Sequence, residues 1–256
     1  MLVAVACKNS ETATVQSEHL RHPPGFARTA GGSYVAIEVT NPGRITGTVT
    51  VAGDLPPDTV VHPTSDVQIC GAELTDVAIE HDGEKLGGAV VWLDGLHSGK
   101  ALPLVKRYDV VNEGCLVRPR VQAAAVGGTL NVRSRDPIAH RTRLLREGET
   151  TPVALVLETD DGQVVPLDHA LDRAGLIEMR CDMHPWTRGW IAVFDHPYFQ
   201  VTGPDGGFSL DSVPPGQYTL HVWHERLGGI TRPVTVEGSG TAKVELELRY
   251  DASGKR

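Results

Sequence analysis

From Ile45 toward the C-terminus, apolar and polar side chains alternate one by one over long stretches of this chain. A period of two belongs to a strand with one buried face, because successive side chains of an extended backbone point to opposite sides. Ile45, Gly47, Val49 and Val51 alternate with Thr46, Thr48 and Thr50. Ala89, Val91 and Leu93 form a second row, Tyr218, Leu220 and Val222 a third. In the fourth, Val244, Leu246, Leu248 and Tyr250 stand against Lys243, Glu245, Glu247 and Arg249. Turn formers fall between the rows at Asp82-Gly83, Asp161-Gly162, Asp205-Gly206 and Pro214-Pro215-Gly216. The pattern predicts an all-β chain built of sandwiches. Residues 65–76 and 167–174 keep helical spacing for about two turns at most, so they read as connectors or single turns.

The length of 256 residues is that of about two modest domains. No apolar run approaches the roughly 18 residues of a membrane-spanning helix, and the net charge of −8 argues against nucleic acid as a general partner. The four cysteines, at 7, 70, 115 and 181, are too few and too scattered for a disulfide-dense scaffold. Cys70 and Cys115 have two open readings, a disulfide in an exported protein or two buried thiols.

Met1-Leu-Val-Ala-Val-Ala-Cys7 followed by a polar stretch resembles the end of a bacterial lipoprotein signal with Cys7 as the lipidated residue; an unremarkable N-terminus is the alternative. The resemblance implies a periplasmic or cell-surface protein whose membrane contact is a lipid at Cys7. Residues 8–42, with Pro23-Pro24-Gly25 and Gly31-Gly32-Ser33, read mostly as a tether.

Two further resemblances are nested. Gly43-Arg-Ile-Thr-Gly-Thr-Val-Thr-Val-Ala-Gly53 and Gly88-Ala-Val-Val-Trp-Leu93, continued by Thr202-Gly-Pro-Asp-Gly-Gly-Phe208 and Pro214-Pro-Gly-Gln-Tyr-Thr-Leu220, resemble the carboxypeptidase-regulatory-like (transthyretin-like) β-sandwich. The family normally has a short loop where this chain has a long stretch, which implies a domain inserted in a surface loop. Within the stretch, residues 121–132 and Arg133-Ser-Arg-Asp-Pro-Ile-Ala-His140 are similar to the opening and first ligand loop of a cupredoxin. Gly175-Leu-Ile-Glu-Met-Arg-Cys181-Asp-Met-His184-Pro-Trp-Thr-Arg-Gly-Trp-Ile resembles the cupredoxin copper loop. The whole resembles bacterial methylamine-utilization-like proteins. It implies a Greek-key cupredoxin-like sandwich over residues 100–196, nested in a transthyretin-like sandwich formed by residues 43–99 and 197–250, with a tail at 251–256.

The resemblance makes His140, Cys181 and His184 the metal ligands and copper the cofactor. Two imidazoles and a thiolate suit both oxidation states of copper, with a weak axial donor trimming the potential. Ile177, Met179 and Cys181 share one strand face and Glu178 and Arg180 the other, which aims the thiol inward. This sequence departs from the family at Thr187, where the axial methionine stands, and at Ser134 and Arg141, where asparagines lock the first ligand loop. Thr187 leaves three outcomes open: a three-coordinate site, a site that admits water, or a lost site. Neither Met179 nor Met183 is taken as axial donor. A buried free cysteine with two ordinary histidines is the competing structural reading, and zinc the competing metal. Trp186 and Trp190 are expected to seal the site from water, and His196, His221 and His224 to line the seam between the domains.

Residues 103–147 carry nine Lys or Arg and four acids, with Arg135, Arg141 and Arg143 around His140, which reads as a solvated face or as a rim steering an acidic redox partner. Enzyme motifs are missing. Cys181 has Arg180 and Asp182 as neighbours rather than the histidines of a multicopper oxidase, Gly95–Lys100 is one residue short of a P-loop, His81-Asp-Gly-Glu84 reads as a hairpin, and no G-x-S-x-G elbow occurs. The expectation is a non-enzymatic, exported copper protein passing single electrons to a redox partner such as a cytochrome or other electron carrier. Its rivals are an apo surface module binding protein or carbohydrate, and a copper storage or delivery protein.

Overall fold

A computed structural model describes residues 34–159 and 162–250. Cys7 with its expected lipid, the tether up to residue 33, Asp161 of the Asp161-Gly162 turn and the 251–256 tail lie outside the described residues. The described chain is all-β. Its α-helix is a single turn, Val67–Cys70, and residues 168–174 form turns and bends after the strand Val165–Leu167.

One sandwich draws on both ends of the described chain. Its first sheet centres on Gly43–Ala52, flanked in parallel by Thr241–Arg249 and antiparallel by Gly207–Val213, with the hairpin His81–Asp82 and Lys85–Leu86 beyond. The second runs Phe199–Val201, Val90–Asp94, Gly216–His224, Gly228–Val236. Alternation puts Ile45, Val49, Val51, Leu246 and Leu248 into the core between them. Gly47 has no room for a side chain, since a Cβ would meet the Val244 carbonyl oxygen and the Phe208 ring. Part of the expected tether docks on this sandwich. Val35–Ala36 pairs in parallel with Ser98–Gly99, and the Tyr34 hydroxyl donates to the Lys100 carbonyl at 2.6 Å. The docking depends on Gly99, where any Cβ would strike the Tyr34 and Tyr198 hydroxyls.

The strands between Arg107 and Phe194 build a second sandwich. One sheet runs Leu116–Arg118, Arg107–Glu113, Thr129–Ser134, Val165–Leu167; the other runs Val121–Ala125, Arg188–Phe194, Gly175–Cys181, His140–Arg146, Ala154–Glu158. Two pairs are parallel, Arg107–Glu113 with Thr129–Ser134 and Val121–Ala125 with Arg188–Phe194. Val110, Leu130, Val132, Leu144, Ile177 and Ile191 fill the core, each such burial contributing about 2 kcal/mol.

The two sandwiches meet face to face. Val90, Trp92 and Trp223 of the first pack on Val121, Leu176, Ala192 and Phe194 of the second. The Trp92 ring stacks on His221 at 4.8 Å and tilts against Phe194 at 5.7 Å. Val90–Asp94 is therefore buried on both faces, Val91 and Leu93 in one core and Val90 and Trp92 in the seam. Arg120 of the second sandwich binds Glu225 of the first and Asp76 of a separate hairpin, Thr59–Val61 with Leu74–Asp76, and a disulfide joins Cys70, between that hairpin's strands, to Cys115.

Candidate metal centre

The second sandwich carries His140, Cys181 and His184 to one point. His140 opens the strand His140–Arg146 and Cys181 closes the strand Gly175–Cys181, and in their antiparallel register Cys181 faces Thr142, two residues from His140. Because side chains two apart share a face, the imidazole and the thiol project into the same interior corner. Past Cys181 the chain folds into a tight turn in which the Thr187 N–H donates to the His184 carbonyl at 2.9 Å. That turn brings His184 back over the thiol.

All three side chains are buried. The Cys181 Sγ lies 3.8 Å from His140 Nδ1 and 3.5 Å from His184 Nδ1, and the two nitrogens are 3.2 Å apart. The centre of that triangle is about 2.0 Å from each corner, inside the roughly 2.0–2.3 Å span of bonds from a metal ion to imidazole nitrogen and thiolate sulfur. Three donor atoms already converge at bonding radius on one point. Among the described residues this is the one group of three or more His, Cys, Asp or Glu side chains arranged to hold an ion.

With both Nδ1 atoms turned inward, both Nε2 atoms point away and meet carboxylates. His140 Nε2 donates to Asp136 Oδ2 at 3.0 Å, and His184 Nε2 to Asp66 Oδ2 at 2.9 Å. Such outer carboxylates fix the ring tautomer and make the inner nitrogen a better donor. Asp136 is itself held by the backbone N–H groups of Gly114 at 2.7 Å and Cys115 at 3.0 Å. Burial opposes its ionisation, but the hydrogen bonds from His140 and the two amides outweigh it and keep the carboxyl below its usual range. Burial also opposes charge on His140; hydrogen bonds with Asp136 and Cys181 prevail and raise its pKa to about 9. For Cys181, burial favours the thiol, yet hydrogen bonds from His140 and neighbouring amides bring its pKa down to about 7. The sulfur is thus disposed to act as a thiolate, the form that binds metal.

Met183 is 41% exposed at the surface. Met179 packs in the core of the sandwich. The Thr187 hydroxyl donates to the Cys115 carbonyl at 3.0 Å, and the Trp186 Nε1 donates to the same oxygen at 3.1 Å. Trp186 lies 5.3 Å from the His184 ring, as a seal should, whereas Trp190 sits in the seam with the Arg120 guanidinium 5.4 Å from its ring. The Ser134 hydroxyl oxygen accepts from the Asp136 N–H at 3.1 Å, tying the turn that leads to His140. The basic flank is largely paired. Arg141 and Arg143 share Asp182 at 3.0 and 2.9 Å, and Arg135 pairs with Glu113 at 3.0 Å.

Sequence reasoning missed three parts of this site. Asp136, four residues before His140, had a local signal in the Asp-Pro turn. Glu158 stands opposite His140 in the sheet register and is fully buried, with its carboxyl raised by that burial despite hydrogen bonds from Thr142 and Asn112. Asp66 had no local signal, since it arrives from outside the second sandwich, 118 residues from His184.

No protein-family model matches this chain, and no curated protein matches it. Solved structures similar to part of it include a copper-containing nitrite reductase from Thermus scotoductus SA-01, with 20% identity over 38% of this chain and 24% of that one and a TM-score of 0.31. A reduced variant of amicyanin shows 18% identity over 34% of this chain and 82% of its own, with a TM-score of 0.31. A purple cupredoxin from Nitrosopumilus maritimus shows 17% identity over 34% and 99%, with a TM-score of 0.28. This chain spans about a quarter of the nitrite reductase.

Proposed function

We propose that this chain is an exported mononuclear copper-binding protein that passes single electrons. The observation that carries the reading is the buried triangle of His140 Nδ1, His184 Nδ1 and Cys181 Sγ, with its centre at bonding radius. Two imidazoles and a thiolate in one plane are a donor set suited to copper in both oxidation states. Copper bound there would supply a one-electron couple. The protein's part is to hold the donors fixed, to orient each imidazole through a carboxylate, and to exclude water with the buried walls around Cys181.

The same reading takes residues 100–196 as a cupredoxin-like domain inserted in a carboxypeptidase-regulatory-like sandwich of residues 43–99 and 197–250. It places the protein in the periplasm or at the cell surface, held by a lipid at Cys7, with a redox partner protein such as a cytochrome, and assigns it no catalytic activity of its own.

Copper storage or delivery is the second reading, favoured by the three-donor geometry in which the Thr187 hydroxyl is committed to the Cys115 carbonyl. Voltammetry of the copper-loaded protein separates the two. Electron transfer predicts a reversible one-electron wave that disappears in Cys181→Ser; tight Cu(I) binding with no reversible wave transfers the assignment to storage.

A further inference from the structure

The residue that closes this centre comes from outside its sandwich, from the segment between the strands Thr59–Val61 and Leu74–Asp76, which pair with each other. Asp66 precedes the helical turn Val67–Cys70 with φ 50 and ψ 33, in the left-handed region, and its side chain makes no capping bond to that turn. A non-glycine residue rarely occupies this region, and an aspartate at a helix start ordinarily accepts from the first-turn amides. Here the carboxylate turns away from its own helix to meet His184 Nε2 at 2.9 Å, and His184 is left with no exposed side-chain surface. The segment is fastened on both sides of the contact. The Ser65 hydroxyl donates to the Met183 carbonyl at 3.2 Å, and the Cys70–Cys115 disulfide anchors the far end beside the amide that holds Asp136. Residues 65–70 form a strap over the ligand loop.

We infer that Asp66 is a positioning carboxylate of the metal centre, and that its charge makes the site prefer a divalent ion over a monovalent one. The inference rests on the metal-binding reading proposed above. The charge count explains the preference: the buried Cys181 thiolate and Asp136, with Asp66 partly exposed at the rim, bring three negative charges around the ligands, leaving a net −1 around a dipositive ion and −2 around a monopositive one. Excess negative charge in a poorly screened interior costs more than in water. Each carboxylate therefore stabilises Cu²⁺ or Zn²⁺ more than Cu⁺. Asp136 makes the same contribution from within its own sandwich, whereas Asp66 makes it only while the strap is docked.

The test compares full-length wild type with Asp66→Asn, an isosteric change that keeps an acceptor for His184 Nε2 and removes the charge. Affinities for Zn²⁺ and for Cu⁺ are measured separately by competition with chelators of known strength, with circular dichroism and apo-protein melting as folding controls. Loss of an outer-shell partner weakens metal binding by about 10- to 100-fold. The expected result is a loss of that size for Zn²⁺, a smaller loss for Cu⁺, and so a fall of about tenfold or more in their ratio. Ser65→Ala, which leaves the charge in place, should keep the wild-type ratio, and Asp66→Glu should restore most of it. An unchanged ratio in a folded Asp66→Asn protein overturns this inference and leaves the metal site standing. Wild type that holds neither ion overturns the metal-binding reading and this inference with it.

Discussion

His140 and Asp136 are joined by a hydrogen bond of 3.0 Å between Nε2 and Oδ2, with both side chains buried and two backbone amides holding the carboxylate from behind. The contact turns the His140 Nδ1 toward Cys181 and fixes the ring before any ion arrives. Asp136→Asn keeps the shape but weakens the acceptor, so metal affinity is expected to fall about 10- to 100-fold. Chelator competition with the purified variant measures it; wild-type affinity in the variant would remove Asp136 from the centre.

The Cys70–Cys115 disulfide closes a loop with a sequence separation of 45 residues. In the chain-entropy picture that constraint on the unfolded chain contributes about 4 kcal/mol. The variant with both cysteines changed to serine is expected to lose stability of that order in urea unfolding and to bind metal more weakly, because the strap bearing Asp66 and the carbonyl that holds Thr187 both lose their anchor. Lost stability with fully retained affinity would separate the disulfide from the site.

Burial lowers the pKa of His196, His221 and His224, and the largest shifts are at His196 and His224. Burial lowers the pKa of His196 from 6.5 to about 4 and that of His224 to about 3, the arginines at 120 and 226 adding to the effect on His224. Between these values and 6.5 the unfolded chain holds protons that these two rings lack in the fold, so the stability that they carry is full above pH 6.5 and declines as the pH falls toward 4. Each group contributes up to about 1.4 kcal/mol per pH unit in that window. Urea midpoints measured from pH 8 to pH 4.5 should show the decline, and His224→Gln should flatten it; a midpoint that holds steady down to pH 4.5 would contradict the burial of both rings.

The strand pattern was legible where one face meets a core, as at Ile45, Val49 and Val51. At Val90–Asp94 the row Ala89, Val91 and Leu93 does face one core, but the alternation did not show that Val90 and Trp92 on the other face are buried too, in the seam. The convergence of His140, Cys181 and His184 was anticipated by their resemblance to a ligand loop, with Cys181 and His184 three residues apart and the strand face aiming the thiol inward. Asp66 was not legible. Its contact with His184 depends on a strap that a disulfide holds, and while Cys70 four residues on admitted that disulfide, nothing around position 66 names the side chain it meets. Cys70 and Cys115 admitted two readings from sequence because pairing depends on a distance between domains; in the fold their Cα atoms are 5.6 Å apart and the sulfurs are bonded.

The central claim is that His140, His184 and Cys181 hold one copper ion through two imidazoles and a thiolate. The most direct test is the visible absorption spectrum of the full chain during titration with copper(II). The account predicts an intense thiolate-to-copper band that saturates at about one equivalent and is abolished in Cys181→Ser, as expected where a coordinated thiolate is the source of the colour. A colourless titration, or the same spectrum in wild type and Cys181→Ser, would contradict it.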